Sequence, residues 1–305
     1  MPPPGRLFIK TSFRTYLKPL AAVTFWGISF IATKQVLNEL HPLELIWLRL
    51  LFAAVFLTVM ALLTRQDFRI NYKNHSGILL LALVAAFHLW IQVTGMQYTT
   101  ASNTGWIIGV TPVFMALLGF MFFKESLTVI RILGILIAFT GLLLLISKGH
   151  ISGIDFISNK GDLLVLASAF TWSVYSIINK KVSLAYPPLM TILYLFSFMV
   201  IILSPFTLSI SMFSHVAEMA YTSWLWILFL GVFCSGVAYV LWAQALTEMD
   251  NAKAGAFIYF EPFITVYTAW LILNEDITFL TILSGIIITA GVILVNLKWK
   301  PSFKK

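Results

Sequence analysis

Long, nearly unbroken runs of apolar residues, punctuated by short polar or charged clusters, dominate the chain. No Lys, Arg, Asp or Glu occurs between Lys73 and Lys124, a stretch far longer than the roughly 20 residues that carry a helix across a bilayer. It therefore crosses more than once, and the cluster Thr99, Thr100, Ser102, Asn103 and Thr104 supplies its turn. Strands of a membrane barrel alternate lipid-facing and lumen-facing residues over about ten positions. The runs here do not alternate, which leaves helices, each satisfying its own backbone groups within hydrocarbon. Boundaries set by charges, prolines and polar clusters predict helices near 20–37, 44–63, 77–98, 104–123, 128–146, 162–180, 189–209, 223–246, 254–273 and 278–297. The expected fold class is all-α integral membrane, with 1–305 as a single membrane domain and connections too short to hold a soluble one.

Composition supports that reading. Hydrophobic residues make up 60% of the chain and charged residues 10%, against about 25% charged in soluble domains. A net charge of +8 could point to nucleic acid. Position argues otherwise, because the basic residues flank apolar runs, where they meet anionic headgroups and set orientation. The expected partners are the bilayer and a small-molecule solute, with no nucleic acid, no metal and no cofactor. Cys234 is the sole cysteine and lies inside an apolar run, so no intrachain disulfide forms. The basic N-terminus precedes an apolar run too long for a usual signal core and without a clear cleavage site, so a retained first helix is expected.

The basic residues also orient the spans. With both termini cytoplasmic, Arg6, Lys10, Arg14, Lys18, Arg65, Arg69, Lys73, Lys124, Arg131, Lys180, Lys181, Lys253, Lys298, Lys300, Lys304 and Lys305 fall inside, 16 in all, and only the 3 residues Lys34, Lys148 and Lys160 fall outside. That asymmetry is the positive-inside pattern.

An internal repeat follows. Shifting the chain by 150 residues aligns Gly105 with Gly255, Pro112 with Pro262, Glu125 with Glu275, Thr128 with Thr278 and Gly141 with Gly291. A shift of 146 aligns Trp26 with Trp172, Lys34 with Lys180 and Pro42 with Pro188. The four-residue difference places an insertion between the seventh helix and the end of the eighth. The expected units are 15–146 and 160–297, each of five helices. Five is odd, so the second copy enters the membrane upside down, an arrangement used by secondary transporters.

At these residues the chain resembles a known family. Trp26-Gly27-Ile28-Ser29-Phe30, the segment from Pro42 to Arg49, Glu125-Ser126-Leu127-Thr128, Glu261-Pro262 and Glu275-Asp276-Ile277-Thr278 are similar to the EamA-like branch of the drug/metabolite transporter superfamily. The resemblance runs from about Leu20 to Leu297. It implies a ten-helix exporter or exchanger of small organic solutes, often amino acids or related metabolites, in a bacterial inner membrane. It also implies a central cavity lined by helices one to four of each copy, with the fifth and tenth helices peripheral.

Several polar and aromatic side chains are candidates for solute contact. Trp26, Ser29 and Thr33 share one face of the first helix, and Trp172, Tyr175 and Asn179 repeat the spacing in the sixth. Lipid tails offer such groups no partners, so these faces point to a wet cavity or to another helix. Arg49, about 7.5 Å deeper than the helix start at Glu44, either recognises an anionic group or is tethered to Glu44 or to headgroups. Glu261 precedes a helix-breaking proline, which frees a carbonyl. Its carboxyl could bind a substrate amine, carry a proton, or hydrogen-bond to the kink. His88 and Gln92 lie one turn apart on the third helix, with Trp242 at the position equivalent to Gln92. His88 could move protons or simply pack through a hydrogen bond. Trp106, Tyr239, Tyr259 and Tyr267 could wall a cavity, face the interface or pack. Glu125 and Glu275, at tight turns just before Thr128 and Thr278, read as helix caps. Gly134, Ala138 and Gly141, with Gly285, Thr289 and Gly291, read as packing surfaces.

Other function classes fit less well. No GxxxxGK phosphate loop is present for an ATP-driven pump, nor any HExxH or GxSxG for a membrane enzyme. A channel or scaffold remains the alternative to a carrier, and the oligomeric state is open.

Overall fold

A computed structural model describes residues 13–68, 75–123, 128–147, 159–182, 186–248 and 257–296. These residues form helices and turns, with no strand among them. Arg6, Lys10, Arg69, Lys73, Lys124, Glu125, Lys148, Lys253 and the lysines after position 296 lie outside the described residues. Among the described residues, eight helical stretches are long and apolar enough to cross a bilayer.

The helices begin where capping chemistry allows. The first, α1 (Phe13–Val36), starts well before position 20, because Pro19 is accommodated inside it rather than marking its start. In α2 (Pro42–Leu63), Pro42 occupies the first turn and Glu44 accepts the His41 backbone N–H at 2.9 Å, closing a capping box. Next come α3 (His75–Met96) and the fourth apolar stretch, which divides into α4 (Ala101–Ile108) and α5 (Thr111–Phe123). Pro112 has no N–H to give Ile108, four residues earlier, and the Thr111 hydroxyl bonds that carbonyl instead at 2.6 Å. Thr128 caps α6 (Val129–Ile146) through the Arg131 N–H at 3.3 Å.

In the remainder, α7 (Lys160–Val182) and α8 (Pro188–Thr207) are followed by a short helix, α9 (Ile210–Glu218). The sequence pattern reads 210–222 as a plain connection, whereas the structure forms a helix capped by Ser209. Its exposed Ile210 and Phe213 lie on one face and buried Met212 on the other. Nine residues, half of them polar, are too few to register as an apolar run. A continuous helix then runs through α10 (Tyr221–Leu228), a π-helical stretch Phe229–Val237 and α11 (Ala238–Glu248). The π turn lies within the interval to which the repeat alignment assigns its four-residue insertion. A 3-10 turn, Ile258–Phe260, leads into α12 (Glu261–Leu273), which ends at Asn274 in the left-handed conformation (φ 52°). The last helix is α13 (Phe279–Asn296), capped by Thr278.

Packing joins distant parts of the chain. The helix α6 lies along α13, α3 along α7, and α2 along α8 and the π stretch. Between them α1 meets α11 and α12, while α4 meets α12 and α7. Close approach needs small residues. A Cβ on Gly291 would lie 2.3 Å from the Ala138 backbone nitrogen and 2.6 Å from the Gly134 carbonyl oxygen, so α6 and α13 touch backbone to backbone. At Gly231 a Cβ would lie 2.9 Å from the Arg49 carbonyl oxygen, which brings the π stretch onto α2. Two buried apolar clusters result. One lies among α2, α3, α8 and the π stretch, and the other among α4, α6, α12 and α13.

Candidate substrate site

The contact of α2 with the π stretch positions the first charged group. Arg49 is 9% exposed and donates from Nε to the Ser235 hydroxyl at 2.7 Å. Glu44 is not its tether. That carboxylate is held by the His41 backbone N–H and by His215 Nδ1, 3.1 Å from each oxygen. No carboxylate pairs with Arg49 among the described residues. A charge near the middle of a span costs about 2.5–3.5 kcal/mol on insertion scales, and one neutral hydroxyl returns only part of that.

Glu261 is the complementary case. Pro262 deprives the Ile258 carbonyl of its usual donor, and the Glu261 backbone N–H takes that carbonyl in the 3-10 turn. The kink is thus satisfied by main chain and leaves the carboxylate uncommitted. Among the described residues the Glu261 side chain makes no hydrogen bond or ion pair, while its own carbonyl accepts from Thr265. Tyr239 lies within electrostatic range of both Arg49 and Glu261.

Around Tyr239 the aromatic candidates converge. The Trp26 indole donates to the Cys234 carbonyl at 3.1 Å, tying α1 to the π stretch. Its ring stands 5.5 Å from Tyr239 and 5.4 Å from Trp242, and Tyr239 meets Phe196 edge-on at 5.4 Å. A second stack joins α3 to α7, with His88 5.0 Å from Trp172 and Trp172 5.0 Å from Tyr175. His88 Nδ1 lies 2.9 Å from the Ser168 carbonyl, which can only accept, so Nδ1 carries the proton. Arg49 is within electrostatic range of His88, and Tyr175 of Tyr239.

Other candidates sit elsewhere or are occupied. The Ser29 hydroxyl is spent on the Trp26 carbonyl of its own helix at 2.6 Å. Thr33 and Gln92 are buried, and Asn179 is exposed. The Trp106 ring packs onto α13, where a Cβ on Gly285 would come within 2.2 Å of it, and meets Phe263 at 5.1 Å. Tyr259 reaches Asn296 of α13, and Tyr267 is 60% exposed beside Trp270. Sequence reasoning missed Ser235, whose only signal was a hydroxyl within an apolar span. It also assigned Glu275 to its own helix, whereas that carboxylate caps α4, accepting from the Ala101 and Ser102 N–H groups at 2.7 and 3.0 Å. A separate groove of about 390 Å³ opens beside Glu44, Trp90, Thr94 and Phe206.

Residues 14–147 and 159–297 each match the model of the EamA-like transporter family. The chain belongs to the EamA-like transporter family. An uncharacterized transporter of Archaeoglobus fulgidus is 32% identical over 93% of this chain and 98% of its own length. A protein of Escherichia coli K12 named a probable amino-acid metabolite efflux pump is 26% identical over 93% of this chain and 96% of its own. A solved crystal structure shares the fold at a TM-score of 0.64, covering 93% of this chain and 98% of that one at 16% identity. This EamA-like chain is therefore a multi-pass membrane protein whose relatives are named as transporters rather than enzymes.

Proposed function

We propose that this EamA-like protein is a secondary carrier that exports small zwitterionic metabolites, amino acids and related compounds foremost, across a bacterial inner membrane by alternating access. One observation carries the reading. Among the described residues Arg49 is a buried cation without a counter-ion and Glu261 an uncommitted carboxyl group, and both lie within electrostatic range of Tyr239, which packs against Trp26 and Phe196. A solute bearing both charges completes each group, its carboxylate on Arg49 and its ammonium on Glu261. Trp26, Trp242 and Tyr239 offer faces to its apolar part. His88, Trp172 and Tyr175 extend the lining from α3 and α7.

The architecture that goes with this function has ten spans, formed by α1, α2, α3, α4–α5, α6, α7, α8, α10–α11, α12 and α13. Exchanging each span with the one five places along supports two equivalent copies. The third–sixth contact exchanges with the first–eighth, and the fourth–sixth with the first–ninth. The second–seventh, fourth–ninth and fifth–tenth contacts map onto themselves. Two tandem matches to one family model support the same division. Five spans per copy would invert the second relative to the first, and the charge asymmetry supports cytoplasmic termini.

Counterflow tests the carrier. In proteoliposomes preloaded with an unlabelled amino acid, uptake of the labelled compound is expected to overshoot its equilibrium value. Simple equilibration without overshoot across an amino-acid panel indicates a channel or scaffold. Topology is tested separately. A C-terminal reporter is expected to be active in the cytoplasm, and activity only in the periplasm would overturn the orientation.

A further inference from the structure

We propose that the turn joining α3 to α4, held by Lys34, Asp162 and Glu275, is the outer gate of the carrier. This rests on the carrier reading and orientation above. The turn presents two helix ends of opposite polarity, the carbonyl end of α3 and the N–H end of α4. Each receives a charge of opposite sign from another element. Lys34, in the last turn of α1, donates to the Met96 and Thr99 carbonyls at 2.7 and 2.9 Å. Glu275, between α12 and α13, accepts from the Ala101 and Ser102 N–H groups and from the Ser102 hydroxyl at 2.6 Å.

A third element closes on the same turn. Asp162, fully buried in the first turn of α7, accepts from the Thr99 hydroxyl and, at 2.6 Å, from Asn159. Beside it, Lys160 stands 3.7 Å over the Tyr98 ring, and a Cβ on Gly161 would lie 2.6 Å from the Tyr98 carbonyl carbon. One turn of the first copy is thereby held by α1 and by two elements of the second. At the other end, the described residues offer a half-exposed Lys18–Glu248 pair between α1 and α11 and a ring contact of Tyr16 with Phe257. Parting the copies on the outside must strip Glu275 and Asp162 from this turn, while Lys34, of the same copy as the turn, fixes the end that they hold. Their bonds therefore set how often the outer mouth opens.

The geometry separates this gate from a simple ion pair. Lys34 and Glu275 each serve a helix end rather than one another. The double reversal Lys34→Glu with Glu275→Lys sets like charge against both ends and is expected to leave the gate open, whereas Lys34→Arg is expected to keep it closed.

The test uses the full chain with Cys234→Ser, which removes the only native thiol, and a reporter cysteine at Trp242 in the aromatic group. A membrane-impermeant maleimide is applied from outside to oriented vesicles. Lys34→Ala and Glu275→Gln are expected to raise the labelling rate about tenfold, as a population shift toward the outward-open state. Thr99→Val, which removes the Asp162 bond without changing charge, is expected to act in the same direction. Normal abundance and elution with an unchanged rate in all three variants overturns the gate, as does restored closure in the double reversal. Counterflow, measured in parallel on the Cys234→Ser parent, reports on the carrier alone, so a failed carrier and a failed gate are told apart.

Discussion

Gly291→Leu is expected to destabilise the folded protein by about 3 kcal/mol or more, at or beyond the upper end of ordinary overpacking. The reason is the identity of the atoms in the way. A Cβ at position 291 meets the Ala138 nitrogen at 2.3 Å and the Gly134 oxygen at 2.6 Å, both of them backbone. A side chain can change rotamer, but a helix backbone can yield only by moving the whole of α6 away from α13. Separation would also expose the close seam at Gly141, where a Cβ would lie 2.8 Å from the Ile288 nitrogen. The measurement is thermal unfolding in detergent, followed by loss of the monodisperse peak on gel filtration. Ile293→Ala, on the exposed face of the same helix, serves as the control and is expected to stay within about 0.5 kcal/mol. Equal melting temperatures for Gly291→Leu and the parent would contradict the backbone contact.

The second large effect is on solute recognition. Arg49→Gln and Glu261→Gln are each expected to lower counterflow by about 10- to 100-fold, the loss of one charge-assisted hydrogen bond. The more telling readout is discrimination. If Arg49 takes the carboxylate, Arg49→Gln loses the preference for an amino acid over its amide but keeps the preference over the N-acetyl derivative. Glu261→Gln shows the reverse. Arg49→Lys keeps the charge without the planar fork and is expected to fall between. Glu125→Gln, at a residue that the sequence pattern reads as a helix cap, is expected to leave counterflow near the parental level. A Glu261→Gln variant that transports and discriminates as the parent does would remove this carboxylate from the mechanism.

Much of the framework was legible in the sequence because membrane insertion is a property of consecutive residues. A charge-free stretch from Asn74 to Phe123 declares two crossings whatever surrounds it, since transfer into hydrocarbon sums locally along the chain. Caps are equally local. Thr128 and Thr278 hold their own helix N-termini because the bonded N–H lies three residues away. Where an element was missed, local signal was weak. Nine mixed residues form α9 through its amphipathic faces rather than through any apolar run.

The candidate site was legible as a set of residue types but not as an arrangement. Arg49 invited a partner nearby in sequence, Glu44, yet Glu44 belongs to the α2 cap and His215, while Ser235, 186 residues away, takes the guanidinium. Glu275 stood at the start of one helix and caps another, 174 residues earlier. Trp106 and Trp26 look alike as tryptophans in apolar runs. Gly285 makes a socket for the first, and the Cys234 carbonyl together with Tyr239 holds the second. What the sequence by itself determined was that this chain lives in a bilayer as apolar helices, because hydropathy and capping act over a few neighbouring residues. Only the tertiary structure decided which charges find partners among the described residues, since the partner of a buried polar group is whichever atom close packing brings within about 3 Å, and sequence distance places no bound on that.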